Sequence, residues 1–227
     1  MQTTILSRAR AYSMWVLIPC VLLTAVTGML TGAAVNKPVR LFDGKTFKGW
    51  EGDLKTFRIE MGAIVGGTLT APIPRNEFLC TTRDYSNFRL RLKFRVQGKG
   101  ANAGVQFRTR RIPNHYEVIG YQADLGDGYW GSLYDESRRK KILAQADKAL
   151  MERILKRDDW NEYEIHAEGL RIRLAVNGQQ TVDYTETDAG IEQTGCLCVQ
   201  IHGGPPSEAR YKDVMIEEFK PPTRKGK

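Results

Sequence analysis

A polar pair lies at the end of a predicted strand near the C-terminus of the chain. Gln200 and His202 alternate with apolar residues in the segment 198–202, so their side chains share one face of that strand. The loop 203–206, which reads Gly-Gly-Pro-Pro, follows at once, and functional residues are common where a strand opens into a loop. Because an imidazole titrates at about pH 6.5, His202 is a candidate for proton transfer. The alternative is a histidine that only caps a turn.

Two further segments alternate apolar residues with residues whose side chains form hydrogen bonds. In 102–108, Val105 and Phe107 are predicted to point to one side and the polar residues to the other. In 120–124 the polar residues again share one face. The polar side chains of the two segments are Asn102, Gln106, Arg108, Gln122 and Asp124. Planar amides and guanidinium groups bind hydroxyls, so these residues are candidates for contact with a sugar.

Aromatic residues follow the second of these segments. Tyr129, Trp130 and Tyr134 lie in the next predicted loop. Aromatic rings cover the apolar faces of sugar rings, so Trp130 and Tyr134 are further candidates for substrate binding. A solvated sheet face with aromatic residues in the core is the alternative, and residue types alone do not separate the two interpretations.

Three carboxylates fall in the same region of the sequence. Asp124, Asp127 and Glu136 leave a divalent cation open as a cofactor, although scattered acidic residues are usually only solvated. No residue is therefore assigned as a metal ligand. The chain has no G-x-S-x-G, H-E-x-x-H or Walker sequence, so the hydrolases, metalloproteases and nucleotide-binding proteins marked by those motifs are not indicated.

The elements that position these residues are predicted to be strands. In 88–96 every even-numbered residue is apolar and every odd-numbered residue is Arg or Lys, which is typical of a strand with one buried face. Asn177 and Gly178 form a strong hairpin signal between two more alternating segments. Many short strands separated by turn residues favour an all-β, antiparallel two-sheet sandwich or jelly roll. Only 140–156 shows helical spacing, and it is predicted to be one short helical excursion.

The N-terminal segment 1–34 is typical of a signal peptide. Arg8 and Arg10 precede the apolar run 15–26, and small residues follow up to Ala34. The run is shorter than the roughly 20 residues of a membrane-spanning helix, so cleavage near Ala34 is favoured over a retained anchor. The sequence therefore predicts an exported protein, periplasmic or extracellular, with no stable membrane insertion after cleavage.

Cleavage leaves one predicted domain, 39–219, and a polar tail, 220–227, that is expected to be flexible. The formal charge is +8, but the basic residues are spread along strands and form no patch, so nucleic acid is not an expected partner. Cys80, Cys196 and Cys198 are predicted to be small core residues. Three cysteines cannot all pair, and neighbours on one strand face make a poor bridge.

Several segments, in order, resemble the 3-keto-disaccharide hydrolase domain family, also described as 3-keto-glucoside 1,2-lyase/3-keto-2-hydroxy-glucal hydratase. The similar segments are 41–50, 78–88, 102–108, 160–165, 176–178, 200–203 and 211–214. Each segment is weak evidence by itself, but their order and spacing are specific. The resemblance implies a concanavalin A-like jelly roll of the lectin and glucanase type over about 39–219.

The resemblance also implies chemistry on a glycoside or oligosaccharide that carries a ketone at C3. A base removes the acidic C2 proton, the C1 substituent leaves by β-elimination, and addition of water gives net hydrolysis. His202 is then expected to be the base, Arg108 and Gln122 are expected to donate to the enolate oxygen, and Asp124 is expected to orient the histidine, act as base or hold a cation. The residues assigned to substrate binding are Asn102, Gln106, Gln122, Trp130, Tyr134 and Gln200.

One position departs from the family pattern. Many relatives carry Gly-Tyr-Glu-x-Gln where this chain has Gly-Tyr-Gln-Ala-Asp at 120–124, so Gln122 replaces the acid and Asp124 replaces the amide. Glu117 is the other match for that acid. The exchange either moves the acid to Asp124 or removes activity. A non-catalytic carbohydrate-binding module of the cell envelope is therefore an alternative, and an envelope interaction domain is a third.

Overall fold

A computed structural model describes residues 37–219 of the protein. They form fifteen strands and one short helix. The elements are β1 (Val39–Arg40), β2 (Trp50–Glu51), β3 (Phe57–Glu60), β4 (Ala63–Thr68), β5 (Glu77–Thr81), β6 (Phe88–Gln97), β7 (Asn102–Arg111), β8 (Val118–Gly126), β9 (Leu133–Glu136), β10 (Lys141–Ala144), α1 (Lys148–Ile154), β11 (Asn161–Glu168), β12 (Arg171–Val176), β13 (Gln179–Thr185), β14 (Cys196–Ile201) and β15 (Ser207–Glu218).

The strands form two antiparallel sheets that enclose one main apolar core. Sheet I has the order β13-β12-β11-β6-β15-β4-β3, with β1 paired to β15, and sheet II has the order β10-β9-β8-β7-β14-β5-β2. Leu92 and Phe94 of sheet I and Phe107 and Tyr121 of sheet II are among the buried residues of this core. The predicted all-β, two-sheet sandwich is confirmed.

The predicted periodicities match the strands that form. Every apolar residue at the even positions of 88–96 is buried in β6, which spans Phe88–Gln97. The hairpin between β12 and β13 turns at Asn177 and Gly178, whose φ angles are 48° and 78°. Asparagine and glycine tolerate this left-handed region better than other residues, which explains why the pair is a reliable turn signal.

The helix is shorter than its predicted range. Of 140–156, Lys141–Ala144 forms the edge strand β10 and only Lys148–Ile154 is helical. The backbones of Lys141 and Ile142 pair with β9. This segment therefore extends the edge of sheet II as a strand, although its apolar residues have helical spacing. Asp147 then caps α1, because its side chain accepts a hydrogen bond from the Leu150 amide at 2.6 Å.

Two of the cysteines are covalently linked. Cys80 on β5 and Cys198 on β14 are direct cross-strand partners and form a disulfide with an S–S distance of 2.14 Å. Both are buried, but the prediction of small core residues did not include this bond, which forms because strands far apart in sequence become neighbours in sheet II. Cys196 is free and buried, and its sulfur lies 3.6 Å from that of Cys198.

Loss of this disulfide is expected to lower the free energy of unfolding by about 3–5 kcal/mol, since it closes a loop across 118 residues of sequence. The measurement is urea denaturation of a Cys80→Ala/Cys198→Ala double variant against the oxidised parent. Cys196→Ala is the matched control and should lose about 1 kcal/mol. Equal stability of the double variant and the oxidised parent would contradict the prediction.

No helix within 37–219 is long and apolar enough to cross a membrane. The predicted signal peptide, 1–34, and the predicted flexible tail, 220–227, lie outside the described residues.

Candidate functional site

Polar side chains from three neighbouring strands meet on the face of sheet II that points away from sheet I. Gln106 on β7 lies opposite Gln122 on β8, and Gly104 lies opposite Asp124. On the other side of β7, Gln200 of β14 also pairs with Gly104. The intervening residues of these strands are apolar and belong to the core, so strand alternation alone turns the polar set outward.

A small cleft of about 170 Å³ opens on this face. Its lining residues are Asn76, Asn102, Gln122, Asp124, Tyr129, Tyr134, Glu136 and His202. The structure thus brings together five of the residues assigned from the sequence: Asn102, Gln122, Asp124, Tyr134 and His202. Gln106 lies beside the cleft on the same face and is fully buried.

A chain of hydrogen bonds runs along this face toward Asp124. The Thr109 hydroxyl donates to Gln106 Oε1 at 3.1 Å, and Gln106 Nε2 donates to Gln122 Oε1 at 2.6 Å. Gln122 Nε2 then donates to Asp124 Oδ1 at 2.5 Å. The absence of a side chain at Gly104 leaves space for the Gln122 side chain, because a Cβ at this position would lie 2.5 Å from Gln122 Cδ. Gln122 therefore acts as a fixed donor that orients the Asp124 carboxyl group.

Two carboxyl groups of the cleft titrate near neutral pH. Asp124 is only 4% exposed, and burial raises its pKa to about 7 although the Gln122 amide opposes the shift. Burial also raises the pKa of Glu136 to about 7, and the neighbouring Glu117 carboxylate raises it further. Glu136 in turn disfavours the charged form of Asp124. Both groups can therefore donate and accept protons near pH 7.

His202 enters the cleft directly after β14. Its backbone amide donates to the Asn102 carbonyl at 3.0 Å, which fixes the residue beside β7. Its Nδ1 lies 2.6 Å from the Gly203 carbonyl oxygen. Because a carbonyl only accepts, Nδ1 carries the proton and a neutral ring keeps its lone pair on Nε2. In this tautomer Nε2 is the nitrogen that can accept a proton.

Asn76 is a cleft residue that the sequence did not reveal. Its Oδ1 accepts from the Gly203 amide at 2.9 Å, and its Nδ2 donates to Glu117 Oε1 at 2.9 Å. It therefore connects the loop that carries His202 to the carboxylate beside Glu136. Asn76 lies in an irregular segment before β5, where no periodicity marks it. Its position one residue ahead of a strand that pairs with β14 is the only signal available.

Arg108 does not reach the cleft. The β7–β8 pairing shifts register between Phe107 and Arg110, and Arg108 has a φ of 49°. Its guanidinium donates to the Ser86 carbonyl at 2.9 and 2.7 Å and to the Gly169 carbonyl at 2.8 Å. The expectation that Arg108 shares the face of Gln106 is therefore wrong, because this bulge reverses the alternation. Burial lowers its pKa to about 10.

Replacing Arg108 by methionine is expected to destabilise the fold by about 2–4 kcal/mol, since buried carbonyls would lose their donors. Thermal or urea denaturation measures this loss. Arg110→Met is the matched control: Arg110 is exposed and pairs with Glu192, so its loss should cost less than about 1 kcal/mol. Similar stabilities of the two variants would contradict the structural role of Arg108.

Two further residues assigned from the sequence do not line the cleft: Trp130 lies away from it, and Gln200 lies buried beneath it. The Trp130 indole packs on Phe94 with a centroid separation of 6.3 Å, and its Nε1 donates to Asp127 Oδ1 at 3.0 Å. Trp130 lines a different groove, beside α1. Gln200 is fully buried on the same sheet face as Asp124, and its amide has no hydrogen-bond partner among the described residues.

The three carboxylates considered for a cation do not form one group. Asp127 pairs with Arg157 at 3.0 Å and accepts from Trp130, whereas Asp124 and Glu136 line the cleft. Within 37–219, the one cluster of at least three close potential ligands is that of Cys80, Cys196 and Cys198, two of which form the disulfide.

Solved structures with this fold include proteins connected with carbohydrates. A Parabacteroides distasonis protein assigned as a glycosyl hydrolase is 20% identical, with a TM-score of 0.62 over 81% of this chain and 94% of that one. The carbohydrate-binding module CBM66 from Bacillus subtilis is 13% identical, with a TM-score of 0.59 over 75% and 96%. A Bacillus licheniformis β-glucanase is 12% identical, with a TM-score of 0.54 over 84% and 99%. These similarities establish the jelly-roll fold.

No curated protein matches the sequence. The model of a protein family described as the 3-keto-alpha-glucoside-1,2-lyase-like domain matches residues 37–217, which include every strand that contributes to the cleft. The chain therefore belongs to the 3-keto-alpha-glucoside-1,2-lyase-like domain family.

Proposed function

We propose that the protein is an exported enzyme that cleaves 3-keto-glycosides by β-elimination followed by hydration. The observation that carries this proposal is the cleft itself, where His202 and two carboxyl groups with pKa values of about 7, Asp124 and Glu136, face the same small volume. Family membership supports the substrate class, and the signal-like segment 1–34 supports export.

The reaction needs a base, an acid and a donor to an oxyanion. The C3 ketone acidifies the C2 hydrogen, and removal of that proton gives an enolate. The enolate expels the C1 substituent and leaves an enone, to which water can add. Proton transfer by a positioned group near its own pKa contributes about 10²–10⁴-fold to such steps. The cleft supplies groups of this kind and no nucleophilic serine or cysteine.

His202 and Asp124 are assigned complementary roles. His202 takes the C2 proton on Nε2, since Nδ1 is held by the Gly203 carbonyl. Asp124, oriented by Gln122 and protonated below about pH 7, donates to the departing C1 oxygen. The strands β8 and β14 that lead to them are separated by β7, which places their backbones roughly 10 Å apart. The sugar ring is assigned to the cleft of about 170 Å³ that both residues line.

The donor to the enolate oxygen is not Arg108, which lies elsewhere. One of the two N–H groups of the Gln122 amide is used on Asp124, which leaves the other as a donor. Asn102 and Tyr134 line the cleft and carry an N–H and an O–H donor, so we assign this role to them. In this assignment Gln122 stands where relatives carry a glutamate, and Asp124, two residues further along β8, supplies the acid, so catalysis is retained.

The test is incubation of the signal-free protein with 3-keto-glucosides, with and without divalent cations. Enone absorbance and aglycone release are followed together. Release with a transient enone supports elimination, and release without one indicates direct hydrolysis. A folded protein that releases nothing from several 3-keto-glycosides, yet binds sugars saturably, would instead be a binding module.

A further inference from the structure

A second, larger depression lies beside the helix α1 and is here named the α1 groove. It has a volume of about 620 Å³. Its main lining residues are Trp130, Gln145, Met151, Glu152, Leu155 and Arg157. Its apolar wall is formed by an indole, a thioether and a leucine side chain, and its rim is polar. Concave sites with an apolar wall and a few polar groups are typical of small-molecule binding.

The wall of the α1 groove is held rigidly. Asp127 fixes the Trp130 ring through Nε1 and is itself held by Arg157, both at 3.0 Å. One indole face packs on Phe94. Since its N–H is already used, Trp130 offers a ligand only its π surface. Gln145 donates to the Gly128 carbonyl at 3.2 Å, which fixes the turn preceding Trp130.

The rim of the α1 groove carries charges of both signs that pair with each other. Arg157 contacts Asp127 at 3.0 Å, and Lys148 lies 3.9 Å from Glu152. No charge of one sign is left in excess, so the rim fits a neutral ligand better than an anion or a cation. A neutral ring with an apolar face and polar edges meets both requirements.

The α1 groove and the candidate cleft lie on either side of one turn. Tyr129 lines the cleft, whereas its neighbours Gly128 and Trp130 line the groove. Ser132, at the end of this turn, accepts from the Asp124 amide at 3.0 Å through its carbonyl. Its hydroxyl accepts from Gln145 Nε2 at 2.9 Å. A hydrogen-bonded link thus connects the backbone of the assigned acid to the groove.

We infer that the α1 groove is the leaving-group subsite, where the aglycone ring of the substrate, either aromatic or a second pyranose, packs against Trp130. This inference rests on the proposed function, because it assigns the C1 side of the substrate to the side of the cleft where Asp124 and Tyr129 lie. It predicts that the protein prefers 3-keto-glycosides with a ring as aglycone over those with a methyl group.

The experiment compares 4-nitrophenyl and methyl 3-keto-α-glucosides. In Trp130→Ala, the ratio of kcat/KM for the nitrophenyl to the methyl substrate should fall about three- to tenfold, the usual contribution of an aromatic contact. Glu152→Trp, at an exposed helical position on the rim, should obstruct the groove and lower the same ratio without disturbing the core. Trp160→Ala, a change at the residue before β11 whose ring contacts Arg95 and Lys212 and does not line the groove, is the matched control and should leave the ratio unchanged.

A ratio that stays within twofold of the parent in both groove variants would overturn the inference. Binding separates this failure from failure of the proposed function. Saturation-transfer NMR with unoxidised 4-nitrophenyl α-glucoside should show contacts to the nitrophenyl protons that disappear in Trp130→Ala and persist in Trp160→Ala. Absence of turnover with these contacts present would refute the proposed reaction alone, and unchanged contacts in Trp130→Ala would refute the groove assignment.

Discussion

Replacing His202 by alanine is expected to lower kcat/KM for a 3-keto-glucoside by roughly 10²–10⁴-fold, while the fold and sugar binding are retained. The physical reason is that the variant lacks the Nε2 lone pair assigned to the C2 proton. The imidazole is half-buried at a strand end and its ring makes one short contact, to the Gly203 carbonyl. Its loss should therefore cost little stability.

The measurement is aglycone release under kcat/KM conditions, together with thermal denaturation and sugar titration of the same variant. His166→Gln is the matched control. His166 lies on the outer face of sheet I, where it packs on Phe219 and contacts Arg173. Its replacement should leave release unchanged. Full activity of His202→Ala would remove His202 from the mechanism and leave Asp124 or Glu136 as the base.

The predictable part of this fold follows from patterns that are local in sequence. The alternation in 88–96 defines β6, and the residues of Asn177-Gly178 define a hairpin, because each pattern depends on side chains close together in the chain. The same logic placed Gln122 and Asp124 on one face of β8. Alternation within one strand does not show which strand it pairs with. The disulfide between Cys80 and Cys198 depends on the pairing of β5 with β14 and so could not be predicted from alternation.

The candidate site was harder to predict wherever the backbone departs from regular alternation. Regular alternation counted from Val105 predicts Arg108 on the face of Gln106, but the bulge after Phe107 turns the side chain inward. Residue type alone predicts Trp130 beside Tyr134, but Trp130 lines the α1 groove whereas its neighbour Tyr129 lines the cleft. The pKa values of Asp124 and Glu136 depend on burial and on Glu117, which follow only from the packed structure.

Replacing Asp124 by asparagine is expected to have opposite effects on activity and stability. Activity should fall by about 10²-fold or more, because the amide cannot protonate the leaving oxygen. Stability at pH 8 should rise by roughly 2–4 kcal/mol, since each unit of pKa displacement corresponds to about 1.4 kcal/mol. Asp124 is buried, and its pKa is raised from 3.8 to about 7, so the folded parent must ionise it against its environment.

The change of stability with pH follows from proton binding by Asp124. Between pH 3.8 and about 7 the folded parent holds a proton on Asp124 that the unfolded chain has released, so the parent loses stability as pH rises through this window. Asp124→Asn should lose less stability over the same window. Glu136 still makes the stability of this variant fall with rising pH, because its pKa is also raised to about 7. Denaturation at pH 5 and pH 8 measures the difference.

Asp183→Asn is the matched control because it should show the opposite sign. Arg171 holds the pKa of the Asp183 carboxyl below its usual value, so that contact stabilises the fold above about pH 4 and is lost as pH falls. The control should therefore lose a few tenths of a kcal/mol at pH 8. If Asp124→Asn were instead less stable than the parent at pH 8, the carboxylate would be satisfied in its charged form. The protonated Asp124 required for acid catalysis near pH 7 would then be absent.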